Sequence, residues 1–155
     1  MSKYKSKLLF LSGFIILAAL ILFIAPYKKA VISCKAFGEV NVNKYKIIHI
    51  TSYRLSDGKG AITISGRVFY NQKFIGILGR QLSFSYTVHD GLYEIITTNT
   101  QMQAENTVDE NLLSQFLPPF YYQNGATHRL ALFPLGNGYR MDYNSFPVAY
   151  CQYPG

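Results

Sequence analysis

Acidic residues are scarce in this sequence, and so is any local grouping that chemistry could use. The eight Asp and Glu stand singly apart from Asp109-Glu110, so no carboxylate pair is placed for acid–base work. There are two cysteines, Cys34 and Cys151, and neither has a second Cys or a His at ligand spacing, which argues against a zinc site. Gly-x-Ser-x-Gly, a phosphate-binding loop and a dinucleotide fingerprint are all missing. Tryptophan is absent, and no internal repeat or low-complexity tract occurs. These absences point away from an enzyme, a metal centre and any cofactor.

The longest absence is of charge. From Leu8 to Tyr27 no residue is charged, and Leu, Ile, Phe and Ala dominate. Twenty residues at about 1.5 Å rise make a helix of roughly 30 Å, the thickness of a bilayer's hydrocarbon core. The pattern predicts a membrane-spanning helix over 8–27, a cytoplasmic tail over 1–7 and an exported domain over 28–155. Lys3, Lys5 and Lys7 orient it by the positive-inside rule, with the N-terminus cytoplasmic. Cleavage is disfavoured. Phe23 is bulky where a small residue is needed before Ala25, and Lys28-Lys29 separate the apolar run from the box Val31–Cys34. The expected location is a bacterial inner membrane, with the domain in the periplasm.

Basic residues change meaning once the chain is divided. Five of the 15 Lys and Arg flank the apolar run, and the remaining ten face eight acidic residues scattered among them. The high pI of about 9.4 is thus largely a membrane-flank effect, and direct nucleic-acid binding is not expected. Cys34 and Cys151 stand at the two ends of the exported part. In an oxidising compartment an even count suggests a disulfide, with two unrelated buried thiols as the alternative.

The stretch from Tyr45 to Gln101 alternates as half-buried strands do. Ile62, Ile64, Val68 and Tyr70 share one parity, as do Leu82, Phe84, Tyr86 and Val88. Gly58 with Gly60, Asn71-Gln72-Lys73 and Asp90-Gly91 mark turns, giving an antiparallel meander of about four strands. Gly76 and Gly79 read as bulges or close-packing points within a strand. Residues 107–117 predict a helix, with Thr107 and Glu110 as a capping box and Pro118-Pro119 as its stop. A further hairpin and a last edge segment, Phe146 to Tyr150, end at Cys151. The fold class expected is α+β, mainly antiparallel β: a lipocalin-like half-barrel or meander with one short helix, plus the N-terminal transmembrane helix.

Aromatics are abundant, with 13 Tyr and 11 Phe. Phe120, Tyr121, Tyr122, Tyr139, Tyr143 and Phe146 exceed what a small core needs, and they are candidates for a ligand or partner surface as well as for packing. His49, His89 and His128 lack ligand spacing; their role, if they have one, is pH sensing.

Several short segments carry a resemblance. They are Asp57-Gly58-Lys59-Gly60 leading to Phe69-Tyr70-Asn71, then Phe84-Ser85-Tyr86, the Asp109-to-Phe116 helix with its Pro-Pro stop, and Pro147 to Cys151. With the short tail, single anchor and Cys just beyond it, the chain resembles the FidL-like membrane proteins of enterobacteria. It is also similar to the PsaF and MyfF accessory proteins of fimbrial regulation. The resemblance implies a gene neighbour encoding a ToxR-type transmembrane transcription activator, whose periplasmic domain a ToxS-like accessory binds and stabilises. It further implies a lipocalin-like barrel, in some pairs built jointly and holding bile salts or fatty acids. Cys34 and Cys151 match the flanking cysteines of that family, and no catalytic residue carries over.

Overall fold

The computed structural model describes residues 31–143 and 145–154. The expected tail and membrane helix, 1–7 and 8–27, lie outside the described residues, and among those described no helix is long and apolar enough to cross a membrane.

Among the described residues eight strands run in chain order: β1 (Ile32–Val42), β2 (Tyr45–Ser56), β3 (Lys59–Tyr70), β4 (Lys73–His89), β5 (Leu92–Met102), β6 (Thr127–Leu135), β7 (Gly138–Tyr143) and β8 (Phe146–Gln152). Each pairs antiparallel with the next, and β8 returns to β1, so the sheet closes into a barrel. This corrects the expected half-barrel with open edges: closure is achieved within the chain. It also adds β1, which the sequence reading left unassigned.

Turn chemistry explains the tight hairpins. Asp57 and Gly58, Asn71 and Gln72, and Asp90 and Gly91 all have positive φ, the geometry in which a two-residue loop matches the twist of its strands. In β3 the expected parity holds, with Ile62, Ile64 and Val68 buried and Ser65 exposed. Where β3 meets β4 the register slips between Val68 and Phe69, leaving Ile75 as the extra residue beside Gly76. A Cβ on Gly76 would come within 2.9 Å of both Thr107 and Val108, so the long β5–β6 connection can lie against the strand only because this residue has none.

That connection holds a one-turn helix, α1 (Glu110–Leu113), and a 3-10 turn over Pro119–Tyr121. The expected helix over 107–117 is therefore much shorter, and its capping box does not form. Thr107 is hooked to β4 instead: its Oγ1 accepts from the Ile77 amide at 2.8 Å, and its own N–H donates to the Ile77 carbonyl at 2.9 Å. The cap is Asp109, whose Oδ1 accepts from the Leu112 amide at 2.7 Å.

Two apolar clusters fill the barrel. One, around Leu55, Leu82, Phe84 and Phe120, occupies the end that holds the described termini. The other, around Ile47, Val68, Leu78 and Leu113, seals α1 against β2, β3 and β4. Beside the second lies Arg80, only 2% exposed, with Nη2 at 3.2 Å from Oε1 of Glu110 and with no partner among the described residues for Nε or Nη1. Unsatisfied buried donors are costly, so Arg80→Met is expected to leave stability unchanged or raise it. Glu110→Ala, which strands the cation, should cost about 1–2 kcal/mol, the half-exposed carboxylate being partly screened by water. Urea unfolding of the two variants checks both signs.

Candidate functional site

Parity along β2 turns Ile47, His49, Thr51, Tyr53 and Leu55 inward, and between the two apolar clusters this face borders a cavity of about 200 Å³. Its walls are mostly aliphatic and aromatic, among them Ile62, Ile64, Ile95, Leu117 and Met141, and among the described residues no Asp, Glu, Lys or Arg lines it.

The 3-10 turn forms one wall. Thr97 holds it in place, its Oγ1 donating to the Phe120 carbonyl at 2.9 Å. The Phe120, His128 and Tyr143 rings then follow face to face, with centroids 4.7 and 4.8 Å apart and planes inclined by 19° and 5°. Tyr53 donates its hydroxyl proton to Tyr121. Burial, and then Tyr121 beside it, push Tyr53 well above the usual tyrosine range; burial also raises Tyr121, against the pull of the bond it accepts.

His49 enters from β2 opposite two glycines, Gly38 on β1 and Gly66 on β3. A Cβ on Gly38 would lie 2.6 Å from the imidazole, so that glycine makes room for the ring. The His49 Nδ1 is buried without a hydrogen-bond partner among the described residues. Burial lowers the pKa of both His49 and His128. Above pH 6.5 both are neutral in either state. As pH falls through 6.5 the unfolded chain takes up protons that the fold refuses, so stability declines until the lower folded values are reached. The slope is bounded by about 1.4 kcal/mol per pH unit for each histidine within that window, and falls short of it for His49, which water partly screens. Melting curves between pH 7.5 and 5.0 should show it, and a His49→Leu/His128→Phe double variant should flatten it.

The candidate residues from the sequence divide. Phe120, Tyr121, Tyr143, His49 and His128 converge on the cavity. Tyr122 packs with the second cluster and Tyr139 with the first, where its hydroxyl, donating to Tyr153, is pushed up to about 12. Phe146 is 73% exposed, and His89 lies at the exposed end of β4. Sequence reasoning missed Tyr53, Val40 and Val148 as lining residues; for Tyr53 the parity it shares with Ile47 and Leu55 was the available signal.

A second feature borders the cavity. β1 and β8 pair only at Lys35–Gln152 and Ala36–Cys151, although β1 runs on to Val42 and β8 begins at Phe146. Cys34 and Cys151 are joined by a disulfide at the paired end. Beyond it lies a seam in the barrel wall, with Val40 and Val148 reaching the cavity and Phe37, Phe146 and Tyr150 exposed along it. Among the described residues no group of three His, Cys, Asp or Glu could hold a metal ion.

No curated protein and no solved structure matches the chain. Residues 32–134 match the family model described as the YqeJ C-terminal domain, and with well over half of its length covered the chain belongs to that family.

Proposed function

We propose that this chain is a non-catalytic accessory subunit, anchored in the inner membrane with its barrel in the periplasm. It binds and stabilises the periplasmic domain of a membrane-bound ToxR-type transcription activator, and so controls fimbrial or virulence genes. The observation that carries this reading is the seam. Residues 37–42 of β1 and 146–150 of β8 have no ladder between them, and Phe37 and Phe146 stand 68% and 73% exposed there. An extended segment of a partner could take up the unpaired backbone groups and cover both rings, as in strand addition.

Photo-crosslinking in membranes tests it. A benzophenone at position 37 or 146 should yield one adduct with a one-pass regulator, and a benzophenone at Arg67, on the far wall, should not. If deleting the protein leaves the regulator's level and output unchanged, the reading fails.

A second reading, a periplasmic lipocalin-like binder of a small apolar ligand, is favoured by the apolar cavity, whose volume of about 200 Å³ suits a molecule smaller than the bile salts and fatty acids that the resemblance implies. Saturable uptake of toluene by the full chain supports that reading, and no uptake opposes it.

A further inference from the structure

Hairpin tips are ordinarily polar, because turn residues lie in water and favour Gly, Asn and Asp. Among the described residues three hairpins turn at the barrel end that holds the termini. Two keep to that rule: β2–β3 turns through Asp57-Gly58 beside Lys59, and β4–β5 through Asp90-Gly91 beside His89. The β6–β7 hairpin departs from it. It runs Phe133-Pro134-Leu135-Gly136-Asn137-Gly138 without a charged residue, and Leu135 is 54% exposed at its tip.

More apolar surface gathers at the same tip. The Tyr153 amide donates to the Asn137 carbonyl at 3.0 Å, and the Tyr150 hydroxyl reaches Oδ1 of Asn137 at 2.7 Å. Both tyrosines are exposed, as is Phe133. Arg140 covers the Phe133 ring at 4.7 Å and also bonds Asp142 through two nitrogens, so the one acid of this wall is neutralised. Lys35, opposite Gln152, adds a cation at the rim. An exposed apolar patch with a polar rim marks an interaction surface, and tyrosine beside lysine or arginine suits a lipid headgroup layer.

Chain length says what lies within reach. On the anchor reading the apolar run ends at Tyr27, and β1 begins at Ile32. Five residue steps span at most about 18 Å when fully extended. The headgroup layer takes up roughly 5–7 Å of that. β1 therefore starts no more than about a dozen Å above the headgroups, about the rise of three or four strand residues. Gly138 is level with Gln152, and Gln152 with Lys35, so the β6–β7 tip extends toward the same side as the first residues of β1.

We infer that the β6–β7 tip, with Tyr150 and Tyr153, is a lipid-contact surface resting on the headgroups of the membrane that holds the anchor. The barrel leans toward this hairpin and lifts the Asp57 and Asp90 turns away from anionic lipid. The unpaired parts of β1 and β8 then lie farther from the bilayer, open to an exported partner. The inference rests on the anchor proposed above and is independent of the partner.

The test places a nitroxide on a ketone-bearing residue, which spares the disulfide, in the full chain reconstituted in phosphatidylethanolamine–phosphatidylglycerol vesicles. Power saturation compares collisions with oxygen, which concentrates in lipid, and with a nickel chelate, which stays in water. Labels at positions 135 and 153 should favour oxygen. Labels at the exposed Lys73, at the opposite end, and at the exposed Thr87, near the β4–β5 turn, should favour nickel. Leu135→Glu should cut the oxygen preference at position 153 roughly threefold. Should that variant fail to fold, the four labels in the otherwise unsubstituted chain decide. Flotation of the vesicles after a carbonate wash reports on the anchor separately. A chain that floats while positions 135 and 153 are as wet as 73 overturns the lipid contact and leaves the anchor standing. Equal depth at 87 and 135 overturns the lean. An unmoved reading at 153 in Leu135→Glu overturns the part given to the apolar tip. A chain released by carbonate removes the anchor, and the inference falls with it.

Discussion

Replacing both cysteines, Cys34→Ser with Cys151→Ser, is expected to cost about 5 kcal/mol on the chain-entropy account, because the bond closes a loop between residues 117 apart. For a domain of this size that is between a third and the whole of a typical stability of roughly 5–15 kcal/mol. The loss should also be local in its first effect. Only two residue pairs join β1 to β8, and each backbone hydrogen bond contributes a net of only about 1 kcal/mol. Without the disulfide the barrel should reopen at this junction, leaving β1 and β8 as sheet edges, while β3 and β4, paired over most of their lengths, persist. Urea unfolding gives the magnitude and amide exchange gives the place. Protection should fall first in residues 33–36 and 150–152. A loss below about 1 kcal/mol with those amides still protected would mean that packing, not the bond, closes the wall.

If the seam admits a partner, the disulfide sets how far it can open. The bond holds the end where the described termini meet and leaves Phe37–Val42 and Phe146–Tyr150 free to part. A strand entering there would lie beside Val40 and Val148, so partner and cavity ligand would share a wall. Occupancy of one could then change affinity for the other, with reciprocal coupling.

What the sequence discloses is faces and turns; what it withholds is partners. Ile62, Ile64 and Val68 against Thr63 and Ser65 have the period of two that a half-buried strand needs, and Asp90-Gly91 tolerates the positive φ of its loop. β1 hides its pattern: its inward residues include small Cys34 and Ala36, while a large Phe37 points out. Closure is harder still, since Ala36 pairs with Cys151 across most of the chain, and no local signal encodes that. Thr107-x-x-Glu110 satisfied the capping pattern, yet an exposed amide on β4 competed for the hydroxyl and won. The cavity was half legible. Phe120, Tyr121 and Tyr143 stood out by composition, whereas the unsatisfied nitrogen of His49 depends on Gly38 across the ladder, a relation visible only once strands are paired.

Phe120→Ala is the other substitution with a large expected effect. The side chain is 2% exposed and meets Phe84 at 6.2 Å, Tyr121 at 5.2 Å and His128 at 4.7 Å. Removing a buried phenyl ring costs about 3–5 kcal/mol through lost transfer energy and the space left behind. That space adjoins the existing cavity, so the two should merge. Three results should then appear together. Unfolding in urea should shift by the stated amount, and Phe120→Leu should shift it by about a third as much. His128, freed of one stacked neighbour and better hydrated, should titrate closer to its ordinary value, because burial is what depresses it now. Lastly, on the small-ligand reading, the enlarged site should take up 2-naphthol more tightly than the unsubstituted chain does. A loss below about 1 kcal/mol would show that the 3-10 turn rests on the barrel without closing it, for a ring that truly plugs the core cannot be removed so cheaply.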